Sequence, residues 1–170
     1  MDFELTDEQV LLVDTARSLF TRECPSELVR RVAADHAVAS GLFDRHLRDW
    51  VELAGGPAVD LCLFLVEAGA AVAPGPLLST AGCFAPLLRA AEHPLADDAV
   101  SGTVTGTVAV ASGADGTLRA TDLELVDKVA FVVDGAKLAV VDASSVEART
   151  VETLDMARSM SFVTVPEGAT

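Results

Sequence analysis

The residues able to do chemistry are few. Glu67 stands deep in an apolar stretch, Ala58 to Ala91, and the next charge after it is Arg89. A carboxylate in such surroundings has a raised pKa and is a candidate general base. The simpler role is a side chain that reaches solvent or an arginine such as Arg89 or Arg45. Helical spacing favours the simpler role, because Asp60, Leu63 and Glu67 fall on one stripe, and two carboxylates two turns apart suit a face meeting water or arginine. Ser79 and Thr80 have no His–Asp partner at a readable spacing, so nucleophilic catalysis is unsupported. His36, His46 and His93 form no ligand cluster with cysteines or carboxylates, so no metal centre is expected, and His46 reads as packed or half exposed. Cys62 and Cys83 read as packing residues of the apolar stretch, not as reactive thiols. Gly55-Gly56 follows a helix and Gly113 to Gly116 reads as a turn, so neither is a phosphate loop. The chain offers no self-contained catalytic set.

The elements that position these residues begin with the apolar stretch itself. Its apolar residues fall on every helical face, the pattern of a buried helix. Pro74-Gly75-Pro76 breaks it, since proline removes a donor and clashes with the preceding turn. Neither half reaches the roughly 20 apolar residues of a membrane span. The reading is a buried helical hairpin over residues 58–72 and 77–92, with Pro86 kinking the second helix near Gly82. Upstream, Thr6 and Gln9 make a capping box, Leu5 and Val10 a hydrophobic staple, and Asp7 and Glu8 suit the positive helix terminus. That helix runs to Glu23 and buries Val13, Ala16, Leu19 and Phe20. Pro25 opens a second helix over 25–34, and 35–41 reads as a loop. A third helix over 42–53 sets Phe43, His46, Leu47 and Trp50 on one side, and Gly55-Gly56 ends it.

Residues 93–102 are small and polar and read as a linker. Beyond them the period becomes alternating, as in strands. Strand candidates lie at 103–112, 117–125, 128–133, 136–142, 146–153 and 160–165, with Asp134-Gly135 a hairpin signal. The expected fold class is α+β: an all-helical domain over 1–92, a linker over 93–102, and a small antiparallel β domain over 103–170.

Composition narrows the function classes. The net charge of −14 gives no basic face for a phosphate backbone, so nucleic acid is not an expected partner. A hydrophobic content of 51% suffices for a core and leaves apolar surface for a partner. Three cysteines cannot all pair, and the acidic start lacks the basic region of a secretory signal. Both point to a cytoplasmic protein.

Several stretches, in this order, resemble the acyl-CoA dehydrogenases, flavoproteins that desaturate acyl-CoA thioesters. Leu5-Thr6-Asp7-Glu8-Gln9 followed by Ala16-Arg17-Ser18-Leu19-Phe20 is similar to the family's first helix. Gly55-Gly56 is similar to the end of its proline- and glycine-rich loop. Val66-Glu67-Ala68-Gly69, then Ala73-Pro74-Gly75-Pro76-Leu77-Leu78-Ser79-Thr80, resembles a subgroup with that turn between its fourth and fifth helices. Leu154-Asp155-Met156-Ala157-Arg158 resembles a Leu-Asp-x-x-Arg stretch late in the middle domain.

The resemblance implies FAD-dependent α,β-desaturation of an acyl-CoA, as in fatty acid or steroid side-chain β-oxidation. It implies flavin contacts at Ser112, Phe131 and Val133 and acyl contacts at Leu78 and Ala81. The departures are equally specific. The family's Thr-Glu-Pro flavin segment falls on Val108 to Ser112, which keeps only the Ser112 hydroxyl. Phe131 retains a ring for the isoalloxazine, while Val133 stands where a hydroxyl donor is usual. The family's catalytic glutamate belongs to a C-terminal helical domain without a counterpart in these residues, so no catalytic residue is assigned. The expectation is a truncated member or one subunit of a heteromer, inactive alone, binding FAD only with the missing domain or a partner chain. The partner is a dehydrogenase-like subunit or a second copy of this chain. The alternative is a non-catalytic structural subunit that binds an acyl group or a partner without flavin.

Overall fold

The computed structural model describes residues 4–111, 117–133, 137–166 and 168. Helices occupy the first hundred residues and a six-stranded, mostly antiparallel sheet follows, an α+β fold. Helix α1, Asp7–Glu23, starts on Thr6, whose hydroxyl accepts from the Gln9 amide while the Gln9 side chain accepts from the Thr6 amide. Leu5 and Val10 remain about half exposed, so the expected staple stays open to solvent. Helix α2, Ser26–Ala34, takes Pro25 as its N-cap and so begins one residue later than expected. The expected loop at 35–41 contains a short helix, α3, Val38–Leu42. It continues into a π turn, Phe43–Leu47, and a 3-10 segment, Arg48–Gly55, in place of a regular third helix. Trp50 stacks on Phe64 at 4.6 Å between ring centroids, and Phe20 meets the same ring at 5.2 Å.

The hairpin forms about the Pro-Gly-Pro turn. Its first arm is α4, Ala58–Ala70; its second is a π-helical segment, Leu78–Phe84, running into α5, Ala85–Ala90. The wider π turns precede Pro86, which sits at the start of α5, where a missing amide costs least. At the end of α4 the Ala73 amide bonds the Ala68 carbonyl at 2.9 Å, closing the helix with Val72 in the left-handed region at φ 51°. Glycine is the usual residue there, because a β-branched side chain clashes with its own backbone. The hairpin is not covered all round. Leu61, Phe64 and Ala68 are buried, whereas Val59, Cys62, Val66 and Gly69 recur at helical spacing on an exposed face. Cys83 is exposed as well, so two thiols read as packing residues lie at the surface. The stretch read as a linker holds a further helix, α6, Ala96–Val100, with Ala99 fully buried against the helical core.

The strands are β1 Gly106–Ala111, β2 Leu118–Thr121, β3 Lys128–Val133, β4 Lys137–Asp142, β5 Ala148–Val151 and β6 Met160–Val163, in the spatial order β4-β3-β1-β2-β6-β5. Each is shorter than its expected range or equal to it. A 3-10 turn, Leu123–Leu125, takes the end of the second. Asp134-Gly135 lies outside the described residues. One pairing corrects the expected antiparallel sheet: β1 and β3 are parallel, with Val108 opposite Ala130. The central strands have a core on each side. Val108 and Ala130 face the helices, while Ala109, Val129 and Phe131 face a second cluster with Leu123, Ala139 and Val163.

Candidate functional site

Glu67 pairs with α1. Its two carboxylate oxygens accept from Arg17 Nη2 at 2.8 Å and Arg17 Nε at 3.1 Å. Asp60, two turns earlier on the same stripe, accepts from the Gln9 amide side chain at 3.0 Å. The two carboxylates therefore fasten α4 alongside α1, and the partner is Arg17, not Arg89 or Arg45. Arg89 donates to the Ala54 carbonyl at 2.7 Å. Glu67 holds two helices together and lines an open cleft of about 630 Å³ with Arg17, Phe20, Cys24 and Val72, where its carboxylate is taken up by Arg17. His46 is half exposed, with Nε2 3.3 Å from a Glu23 carboxylate oxygen. Among the described residues, no cluster of histidine, cysteine and carboxylate has metal-binding geometry.

The polar groups that matter lie where the hairpin meets the sheet. Thr80, fully buried, donates from Oγ1 to the Gly106 carbonyl and accepts from the Gly106 amide, both at 3.2 Å. That reciprocal pair ties the second arm to β1. Gly106 is there for space: a Cβ on it would lie 2.3 Å from the ring of Phe84, itself fully buried. Ser79 donates to Asp122 Oδ2 at 3.2 Å, and Arg158 Nη1 donates to the same oxygen at 2.8 Å. Asp122 is 1% exposed and holds a left-handed backbone at φ 55°. Burial pushes its carboxyl up to about 6, with Arg158 and Ser79 opposing. Its other oxygen, Oδ1, is buried without a partner among the described residues, as is Ser159 Oγ.

Arg158 stands between two cavities. One, about 140 Å³, lies under the hairpin and is lined by Leu65, Ala68, Leu77, Leu78 and Ala157. The other, about 490 Å³, is an open cleft lined by His36, Thr150, Thr153, Met156 and Ser159. Of the residues expected at an acyl pocket, Leu78 lines the apolar cavity and is 41% exposed, whereas Ala81 is fully buried. Of those expected at a flavin, Ser112 lies outside the described residues, and so does the side chain of Val133. The Phe131 ring is wholly enclosed in the second core. Among the described residues of those two strands, Val110, Ala111 and Val132 are exposed, Val110 and Val132 by 61% and 54%. None of them can donate a side-chain hydrogen bond.

Sequence reasoning weighed Ser79 and Thr80 only as nucleophiles and passed over Asp122 and Gly106. The available signal was an acid set between two buried apolar residues, Ala120 in β2 and Leu123 in the 3-10 turn.

The fold has a solved counterpart. A structure of the ChsE4-ChsE5 complex from Mycobacterium tuberculosis is similar, with a TM-score of 0.66 and 19% sequence identity over 99% of this chain and 58% of that one. At that identity the likeness is one of fold. The chain thus spans just over half the length of the chain it matches. No family model and no curated protein matches the sequence. Among the described residues, no helix is long and apolar enough to cross a membrane.

Proposed function

We propose that this chain is one subunit of an acyl-CoA dehydrogenase-like heteromer, to which it contributes the hairpin and one wall of an acyl pocket. The observation that carries this reading is the uncovered stripe on α4. Val59, Cys62, Val66 and Gly69 present an apolar face at helical spacing, and Val72 and Leu78 continue it at the rim of the apolar cavity. A stable chain does not leave such a seam in water without a covering partner. The similar fold was solved as a complex of two named proteins, which supports a partner of related architecture. Val72 fits the same reading, since its strained backbone aims an apolar side chain at the rim where glycine would be the relaxed choice.

FAD and the α-proton base belong to the partner in this reading. In a complete enzyme of this kind the flavin accepts hydride from the acyl chain. This chain's part is to bury the acyl tail and exclude water beside Leu77 and Leu78. The enclosed Phe131 ring also favours a second reading, in which the chain is a non-catalytic acyl- or partner-binding subunit of an assembly without flavin.

Co-expression with a dehydrogenase-like subunit tests both readings. The expected result is a co-purifying heteromer with flavin absorbance and acyl-CoA turnover, lost with Val66→Asp. Glu67→Gln should leave turnover intact. A colourless heteromer supports the second reading. A stable monomer that ignores the partner refutes both. A large loss of turnover in assembled, flavin-loaded Glu67→Gln would make Glu67 the base.

A further inference from the structure

We propose that Asp122 is a proton-operated clasp that fixes the segment between β5 and β6 against the helical layer. The segment, residues 152–159, forms the wall between the cavity under the hairpin and the open cleft, with Arg158 lining both. Among the described residues, its hydrogen-bonded tie to the hairpin runs through one oxygen. Asp122 Oδ2 takes a bond from Ser79 on the hairpin and a bond from Arg158 on the segment. Among the described residues, Arg158 makes no other side-chain hydrogen bond. The segment's remaining ties are internal, Thr153 to the Asp155 and Arg158 carbonyls and Ala157 to the Asp155 carboxylate. Beyond these, His36 Nε2 lies 3.2 Å from the Met156 carbonyl, and the Asp122 amide donates to the Ser159 carbonyl at 3.2 Å.

Ionised, the buried carboxylate requires the guanidinium, because an unpaired charge at that depth is costly. Protonated, it loses that requirement. The vacant Oδ1 is the natural seat for the proton, and Ser159 Oγ, also without a partner, is on the residue whose carbonyl Asp122 already bonds. Arg158, 23% exposed, is then free to leave for the cleft. The groups facing the clasp are Arg158 and Ser79 on Oδ2, Glu124 on the adjoining 3-10 turn, and His36 from the loop before α3. Glu124 and burial favour the protonated form, while Arg158, Ser79 and His36 oppose it. The balance puts the change near pH 6, within reach of ordinary conditions. The inference concerns this chain alone and does not depend on the dehydrogenase reading.

Amide hydrogen exchange between pH 5 and 7.5, corrected for intrinsic rates, tests it. The amides of 152–159 should exchange about tenfold faster at pH 5, with a midpoint near 6, while those of α1 stay unchanged. That fold-change matches a shift of one pKa unit in the coupling between proton and segment. Asp122→Asn should show the fast rate at both pH values. His36→Gln should retain the pH dependence. A flat profile in the native chain overturns the clasp. So does a pH dependence that survives in Asp122→Asn or vanishes in His36→Gln. If Asp122→Asn fails to fold, the carboxyl carbon resonance of Asp122 in the native chain decides, because a titration that does not track the exchange midpoint refutes the proposal.

Discussion

Replacing Gly106 with alanine should be among the most damaging small substitutions in this chain. The added Cβ would sit 2.3 Å from Cδ1 and 2.4 Å from Cε1 and Cγ of Phe84, more than 1 Å inside van der Waals contact. Neither side can yield easily. Phe84 is fully buried, and the Gly106 amide and carbonyl are both bound to Thr80, one turn before Phe84 on the same helical segment. Overpacking of this kind costs about 1–3 kcal/mol. If β1 withdraws instead, the two Thr80 bonds break, at about 1 kcal/mol each. The expected loss is therefore about 1–3 kcal/mol by either route, a sizeable part of the roughly 5–15 kcal/mol that a domain possesses. Urea unfolding at constant pH measures it. Phe84→Leu removes the ring and should relieve part of the clash, so the double variant should be less destabilised than the two singles summed, by about 1 kcal/mol or more. A loss below about 0.5 kcal/mol for Gly106→Ala, or strict additivity with Phe84→Leu, would refute the close approach of hairpin and sheet.

Three further outcomes are expected. Thr6→Ala opens the capping box and should cost about 0.5–2 kcal/mol in a thermal melt, while Thr6→Ser should be near neutral. Val72→Gly relieves a left-handed β-branched residue and should raise stability by about 1 kcal/mol, since the lost side chain is half exposed; a decrease would mean its packing outweighs the strain. Because Asp122's folded pKa is raised to about 6, the folded chain holds its proton more tightly than the unfolded one. Its contribution to stability is then fully present below about pH 4 and declines as pH rises through 6, by on the order of 2–3 kcal/mol. Stability profiles of the native chain and Asp122→Asn should diverge by that amount between pH 4 and 7.5, and parallel profiles would contradict the assignment.

Local signals were the legible ones. The capping box at Thr6 and Gln9 and the break at Pro74-Gly75-Pro76 depend on neighbouring residues, and both stand as read. Helix α3 has no side-chain cap and α6 is five residues among polar ones, so only the burial of Ala39 and Ala99 gives either a reason to exist. The parallel contact of β1 with β3 is a choice of neighbour, invisible to alternation within either strand. The apolar hairpin looked buried because its composition says so; which face stays open is decided by what the rest of the chain can reach. The clasp residues escaped for a similar reason. Ser79 and Asp122 are 43 positions apart, Asp122 and Arg158 36, and no short motif spans such distances.

The strand order carries a consequence for synthesis. Strand β6 lies between β2 and β5, so β2 gains its outer neighbour only when residues 160–163 have left the ribosome. Until then the backbone of Leu118–Thr121 is an open edge able to pair with another nascent chain. Arg158, the partner of buried Asp122, emerges in the same late interval. The helices and β1–β3–β4 can assemble earlier, but the half of the sheet that holds the charged clasp must wait for its last-made strand. A ribosome stalled shortly before Met160 would therefore display a helical body with one unpaired edge and one unpaired internal charge, the two features most apt to recruit a holding chaperone.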